Sequence, residues 1–274
     1  MFKSFLCILC FFVLIQVVGS QRFSPPPTLH HNRVQNDTIN QYNENGDRTG
    51  FWTDYFRNDN PRYEGNFKDG RPIGKFKYFF PEGGLRAELV HIDGKETVQA
   101  TFYHRGRNNN TMAEGQYVDR KKHGLWRFFN NRGDLMMKNY FHYDENHGVW
   151  KTFYRSGQLM EKVTYHYGEK KGEWKQYYQN GQVRLSANYD KDLLNGKYTM
   201  YYENGNKMID GYFYNNLEHK RWTHIAHNGE IEKIIVYEKG EVVEENIFIE
   251  GLDVDTPPIR PGNNPYEDIY EGLF

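Results

Sequence analysis

A period of twenty-four residues governs this chain. From Gly124 the sequence reads GLWRFFNNRGDLMMKNYFHYDENH, and from Gly148 GVWKTFYRSGQLMEKVTYHYGEKK. GEWKQYYQNGQVRLSANYDKDLLN follows at Gly172, and GKYTMYYENGNKMIDGYFYNNLEH at Gly196. Each row opens on Gly, has an aromatic two and five positions on, Gly nine on, and an aromatic seventeen on. A unit this short can bury its apolar face only against its neighbours, so the fold is an array of stacked units. Weaker copies start at Gly50, Gly74, Thr97 and Lys220, which makes eight rows within residues 41–250. The Thr97 row lacks the opening Gly and the Trp, and Asn108-Asn109-Asn110 accommodates its extra length.

Each row reads as two strands. The first follows the opening Gly, as in LWRFFN from Leu125; the second runs through Leu135, Leu159 or Val183 to Phe141, Tyr165 or Tyr189. Asn180-Gly181, Asn204-Gly205 and Asn228-Gly229 predict tight hairpin turns with positive φ at both central residues. A longer polar turn, such as GEKKG from Gly168, is expected to lead into the next row. Helix is disfavoured, because the 26 glycines interrupt nearly every helical window. Aromatics at row positions +2 and +5 would face opposite sides of a regular strand. Either both faces carry rings, or a bulge re-aims one of them.

These rows resemble the MORN repeat variant family, whose bacterial members include YwqK-type antitoxin-like repeat proteins. GEWKQYYQNGQV at residues 172–183 carries the resemblance most fully, and it extends over about residues 42 to 250. The resemblance implies an all-β fold: an elongated single-layer antiparallel sheet of stacked β-hairpins. It implies no activity. The original MORN repeat has Gly-x-Gly where this chain has Gly-x-Trp.

The ends differ from the array. Residues 1–20 pair Lys3 with an apolar run from Phe5 to Val18 and end in Val18-Gly19-Ser20, which reads as a cleaved secretory signal peptide. The run is shorter than the ~20 residues that a membrane span needs. Both cysteines, Cys7 and Cys10, lie within it, so the mature chain is expected to have no disulfide, thiol nucleophile or cysteine-metal cluster. Residues 21–40 form a proline-containing leader and residues 251–274 a proline-rich tail. Asn36-Asp37-Thr38 and Asn109-Asn110-Thr111 match the N-glycosylation pattern. A secreted or periplasmic location follows. It fits poorly with an antitoxin, which would meet its toxin in the cytoplasm.

Chemistry is sparse. Formal net charge is -1, with 35 Lys and Arg against 36 Asp and Glu, which does not resemble a basic nucleic-acid surface, where Lys and Arg would strongly outnumber acids. Ser24, Ser156 and Ser186 lack a nucleophile-elbow context. His123 and His147, like His142 and His166, sit at equivalent row positions, ~9–10 Å apart across two strands and too far to share a zinc ion. Carboxylates such as Asp54, Glu64, Asp144 and Glu173 show no spacing that singles out a catalytic pair. The acidic run Glu241, Glu244, Glu245, Glu250, Asp253, Asp255 lacks the spacing of a calcium loop. No cofactor or metal site is expected.

What stands out is aromatic content at 17%. Position +6 places Phe56, Phe80, Tyr103, Tyr154, Tyr178 and Tyr202 in register, but falls to Asn130 and Ala226 in two rows. Positions +2 and +5 hold rings almost throughout and are assigned to packing. Tyr154, Tyr178 and Tyr202 are expected to form a partly exposed contact stripe, their hydroxyls in water. Arg127, Lys151 and Lys175 are interleaved with the rings. The sequence therefore predicts an exported, non-enzymatic binding or scaffolding module for a protein or an extended polymer, glycan or peptide. The alternatives are a glycan-acting enzyme with paired carboxylates and an antitoxin-like inhibitor.

Overall fold

The computed structural model describes residues 39–248, apart from 93 and 107. The expected signal peptide, nearly all of the leader, the tail and the Asn36 acceptor lie outside the described residues. The described chain is one open antiparallel sheet of 20 strands with no helix. Sequence neighbours pair in turn, and each of the eight rows folds as a hairpin, from Arg48–Tyr55 with Pro61–Lys68 to Leu217–Ile225 with Ile231–Glu238. A last strand, Glu241–Ile247, closes the array and is exposed along its whole length.

With no second layer to pack on, the sheet builds its core on one of its own faces. In seven of the eight rows a ring at position +2 meets a smaller residue on the neighbouring strand: Trp52 faces Gly65, Trp174 faces Ala187, Tyr198 faces Gly211 and Trp222 faces Ile235, whereas Gln99 in the Thr97 row faces Gln116. Large and small residues alternate along this line, so each ring lies down over the gap beside it. Trp126 and Trp222 are only 1% exposed. The indole N–H groups of Trp126, Trp150 and Trp222 donate to the carbonyls of Gln116, Tyr140 and Tyr212 at 3.1, 3.0 and 3.0 Å, satisfying the polar edge of each ring. Trp174 donates instead to the Glu161 carboxylate at 2.7 Å.

Three glycines make the close approach feasible. A Cβ built on Gly65 would lie 2.5 Å from the Phe76 ring, and on Gly115 or Gly211 2.3 Å from Trp126 or Trp222. Gly115 is mid-strand with ordinary φ, which by backbone geometry alone would tolerate Ala. The ring above it forbids that. Trp150 departs from this pattern. The register Lys151–Lys138 sets it over Asn139, a buried side chain rather than a glycine, and its ring is left half-buried.

The two kinds of turn exchange the geometries expected of them. At Asn180-Gly181 only Gly181 has positive φ, +86°. Its N–H donates to Tyr178 O at 3.0 Å and Tyr178 N–H donates to Gln182 O at 2.9 Å, a type I turn with a glycine bulge. The connection expected to be longer is the tight two-residue turn. Tyr167 and Gly168 both have positive φ, as do Lys191 with Asp192 and Asn215 with Asn216. Neighbouring rows hold these turns down: Asp192 N–H donates to Lys170 O at 3.0 Å, and the Asp192 carboxylate accepts from Lys170 N–H at 2.8 Å. That bonding stabilises positive φ in Tyr and Lys, which seldom adopt it unaided.

Candidate functional site

Rings occupy both faces. Residues on either side of Trp174 alternate regularly, so Tyr177 points away from Trp174 and meets the ammonium of Lys162. Phe153 likewise lies under the Lys138 ammonium, 5.7 Å from ring centre to Nζ. The bulge falls on the partner strand, where Gln176 pairs with Leu185 and Tyr177 with Val183. Position +2 therefore belongs to the packed face, and +5 to a second, charged face.

The Tyr154, Tyr178 and Tyr202 hydroxyls are not left to water. They donate to the carbonyls of Tyr177, Tyr201 and Ile225 at 2.6, 2.7 and 2.8 Å, each reaching into the next row. The rings are half-buried. His104 takes the same place in the longer row, its Nε2 lying 2.8 Å from Phe129 O, so the register there is one residue later than Tyr103 suggests. The Tyr103 hydroxyl donates to Glu88 instead. This line clamps row to row, which corrects the expectation of free hydroxyls.

The charged face holds the least explained feature. One cross-strand line runs through position +3 of each row and the residue facing it. In the first rows its signs alternate: Glu64 faces Lys77, and Lys77 faces Glu88. Farther along, Arg127 faces Lys138, Lys138 faces Lys151, Lys151 faces Lys162, and Lys162 faces Lys175. Five cations stand in consecutive register at the ~4.8 Å spacing of adjacent strands. Like charges directly opposite each other destabilise a sheet by roughly 0.2–1 kcal/mol per pair.

Among the described residues, relief comes only at the ends of this run. Arg127 pairs with Glu114 at 3.2 Å. Glu173 lies between Lys162 and Lys175 and pairs with both. Its hydrogen bonds to those ammoniums hold its carboxyl below the usual carboxylate range, and its bond to Lys162 raises that ammonium in turn. Lys151, at the centre, is exposed, and no ion pair or hydrogen bond reaches its ammonium among the described residues. Around it lies an open groove of about 760 Å³. Lys138, Lys151 and Lys162 supply its charge, and Leu125, Val149 and Leu159 its aliphatic wall, with Tyr140 and Tyr177 beside them.

Sequence reading found part of this line. Arg127, Lys151 and Lys175 share position +3 and were visible in it. Lys138 and Lys162 sit at +14 of their rows, and only strand pairing slots them between. The histidines also come together through intervening strands. His123, His142, His147 and His166 form a ring ladder with centroids 5.4, 5.9 and 5.7 Å apart, because His142 and His147 flank one tight turn. Among the described residues no three His, Cys, Asp or Glu side chains are grouped so as to hold a metal ion.

The comparisons with known proteins bear on architecture. No curated protein matches the chain. Among solved structures, "Crystal Structure of TarM" aligns over 36% of this chain and 18% of that one, at 14% identity and TM-score 0.26. A mutant of S. aureus TarM in complex with Fondaparinux, alpha-GlcNAc-glycerol and UDP aligns over 33% of this chain and 18% of that one, at 14% identity and the same TM-score. This chain thus spans less than a fifth of the length of either, and overlap at that level carries no argument. The MORN repeat variant family matches residues 146–167, 170–191 and 194–216, which are three consecutive units of the hairpin array and include Lys151, Lys162 and Lys175. Three consecutive units within residues 146–216 thus match the MORN repeat variant model, the family that the row pattern resembles.

Proposed function

We propose that this protein is an exported, non-catalytic binding module that holds an extended ligand along the charged face of its central rows. The observation that carries the reading is the run of five cations from Arg127 to Lys175 in direct cross-strand register. A sheet gains nothing in stability from such a run, whereas an anionic ligand laid across it would relieve the repulsion. A single-layer sheet also leaves this face open over its length, and MORN-variant units suit repetitive, extended contact. The half-buried rings of Tyr154, Tyr178 and Tyr202 rank second as contacts, because their hydroxyls already join the rows.

The test uses purified protein on an array of peptides and glycans, with turnover assayed in parallel. Saturable binding without turnover, weakened when Lys138, Lys151 and Lys162 are changed together to Ser, is the expected result. Turnover of any glycan would replace this reading with the enzymatic one. Fractionation of cells tests export: recovery of the protein in the cytoplasm alone would sink that part.

A further inference from the structure

We infer that the partner of the central groove is a protein segment in which acidic side chains alternate with apolar ones. This rests on the binding-module reading and specifies its ligand. Charge supplies the first half of the argument. Lys138, Lys151 and Lys162 face one another on three adjacent strands, and among the described residues only Lys162 has a carboxylate partner, Glu173. The Lys138 ammonium lies over Phe153, and that of Lys151 is open. An acidic side chain placed over Lys151 would sit within reach of three ammoniums at once, and charge-assisted hydrogen bonds are the stronger kind.

The wall of the groove supplies the second half. Leu125, Val149 and Leu159 are aliphatic, and Gly148 leaves a low point beside Val149. Among the described residues no side-chain carboxylate or amide lines the groove, and the side-chain acceptors there are the Tyr140 and Tyr177 hydroxyls. A glycan needs acceptors as well as donors for its hydroxyls, and burying them unpaired is costly. Apolar side chains meet the opposite conditions: they gain by covering Leu125, Val149 and Leu159 and require no hydrogen bond. A segment with acidic and apolar side chains on alternate sides can present carboxylates to the lysines while its apolar groups cover the wall. A purely acidic polymer would use the first feature and waste the second.

The test uses the full chain and three defined probes: a twelve-residue peptide alternating Glu and Leu, its Gln and Leu counterpart, and a sulfated heparin oligosaccharide. The Glu peptide should bind saturably, and the Gln peptide at least about tenfold more weakly. Raising salt from about 0.05 to about 0.5 M should weaken the Glu peptide, since exposed charges are screened over a few ångströms at the higher value. Lys151→Glu should lower its affinity about tenfold. Lys77→Glu, in the alternating segment, should leave it unchanged. A melting curve for each variant separates lost binding from lost fold. Equal affinity for the Gln peptide, or an unaffected Lys151→Glu, overturns the inference. Tighter binding of the oligosaccharide than of the Glu peptide also overturns it, but leaves the binding-module reading standing. If neither these probes nor any array ligand binds, both readings fail.

Discussion

Two segments of the same face differ in one respect. From Glu64 to Glu88 the cross-strand line alternates in sign, and Lys77 pairs with Glu64 at 3.1 Å. From Arg127 to Lys175 the line keeps one sign over five strands. Behind both segments the packed face sets a ring over a glycine: Phe76 over Gly65 in the first, Trp126 over Gly115 at the start of the second. The hairpins need the packed face to form. They do not need the cationic line, since the first segment forms the same hairpins without it. The contrast separates what folds this protein from what it presents to a ligand.

The largest expected effect tests whether both segments stand on one frame. Trp126→Ala should destabilise by ~3–5 kcal/mol in denaturant unfolding, because a fully buried ring leaves a cavity. Trp150→Ala should cost clearly less, since its ring is half-buried over Asn139. Equal losses would mean that the packed face is not the common frame. Next come the glycines beneath the rings. Gly115→Ala and Gly65→Ala should each cost ~1–3 kcal/mol by overpacking, with similar values in the two segments. Gly181→Ala meets open space and should cost ~1–2 kcal/mol through its φ alone. A negligible loss at Gly115 would show that the ring can slide aside.

Acid asks which face responds first. His224 is buried on the packed face, and burial, reinforced by Lys233, lowers its pKa from 6.5 to about 4. The unfolded chain therefore takes up a proton near 6.5 that the folded chain refuses. The associated stability is complete above pH 6.5 and is lost progressively as pH falls from there towards about 4. The melting temperature should fall across this window, and His224→Gln should flatten the slope. An unchanged slope would point to the charged face or to other groups. Tyr178→Phe, which deletes one row-to-row hydrogen bond, should cost about 0.5–1.5 kcal/mol. The smallest effect is the most diagnostic. Lys151→Glu should stabilise the empty protein by roughly 0.2–1 kcal/mol, and Glu88→Lys should destabilise it by a similar amount. Loss of stability in Lys151→Glu would mean that the cationic run supports the fold, and the contrast between the segments would collapse.

Much of the array was legible because the sequence repeats the same local instruction. Gly124, Gly148, Gly172 and Gly196 take positive φ at the start of their rows, and Lys220 takes the same conformation where the glycine is missing. The bond that satisfies the Tyr178 hydroxyl was not legible, since its acceptor is a backbone carbonyl one row away, at Tyr201. The turn types were exchanged for a related reason. Asn-Gly suits more than one hairpin turn, and the choice depended on the bonds from Tyr178 to Gly181 and Gln182. Tyr167 gives no sign in sequence of positive φ; that follows from the tight turn closed by the His166–Glu169 pair.

The sequence by itself determined the period, the all-β hairpin array and the ring at position +2. These follow from glycine spacing and side-chain type, which act within a single row. Only the tertiary structure decided that Gly115 lies beneath Trp126, that the Tyr hydroxyls clamp rows, and that Lys138 and Lys162 interleave with Lys151 and Lys175. Each of these depends on which residue stands opposite which. That register is fixed jointly by turn geometry, bulges and the packing of large rings against small neighbours, and one residue of slip would send every side chain to the other face.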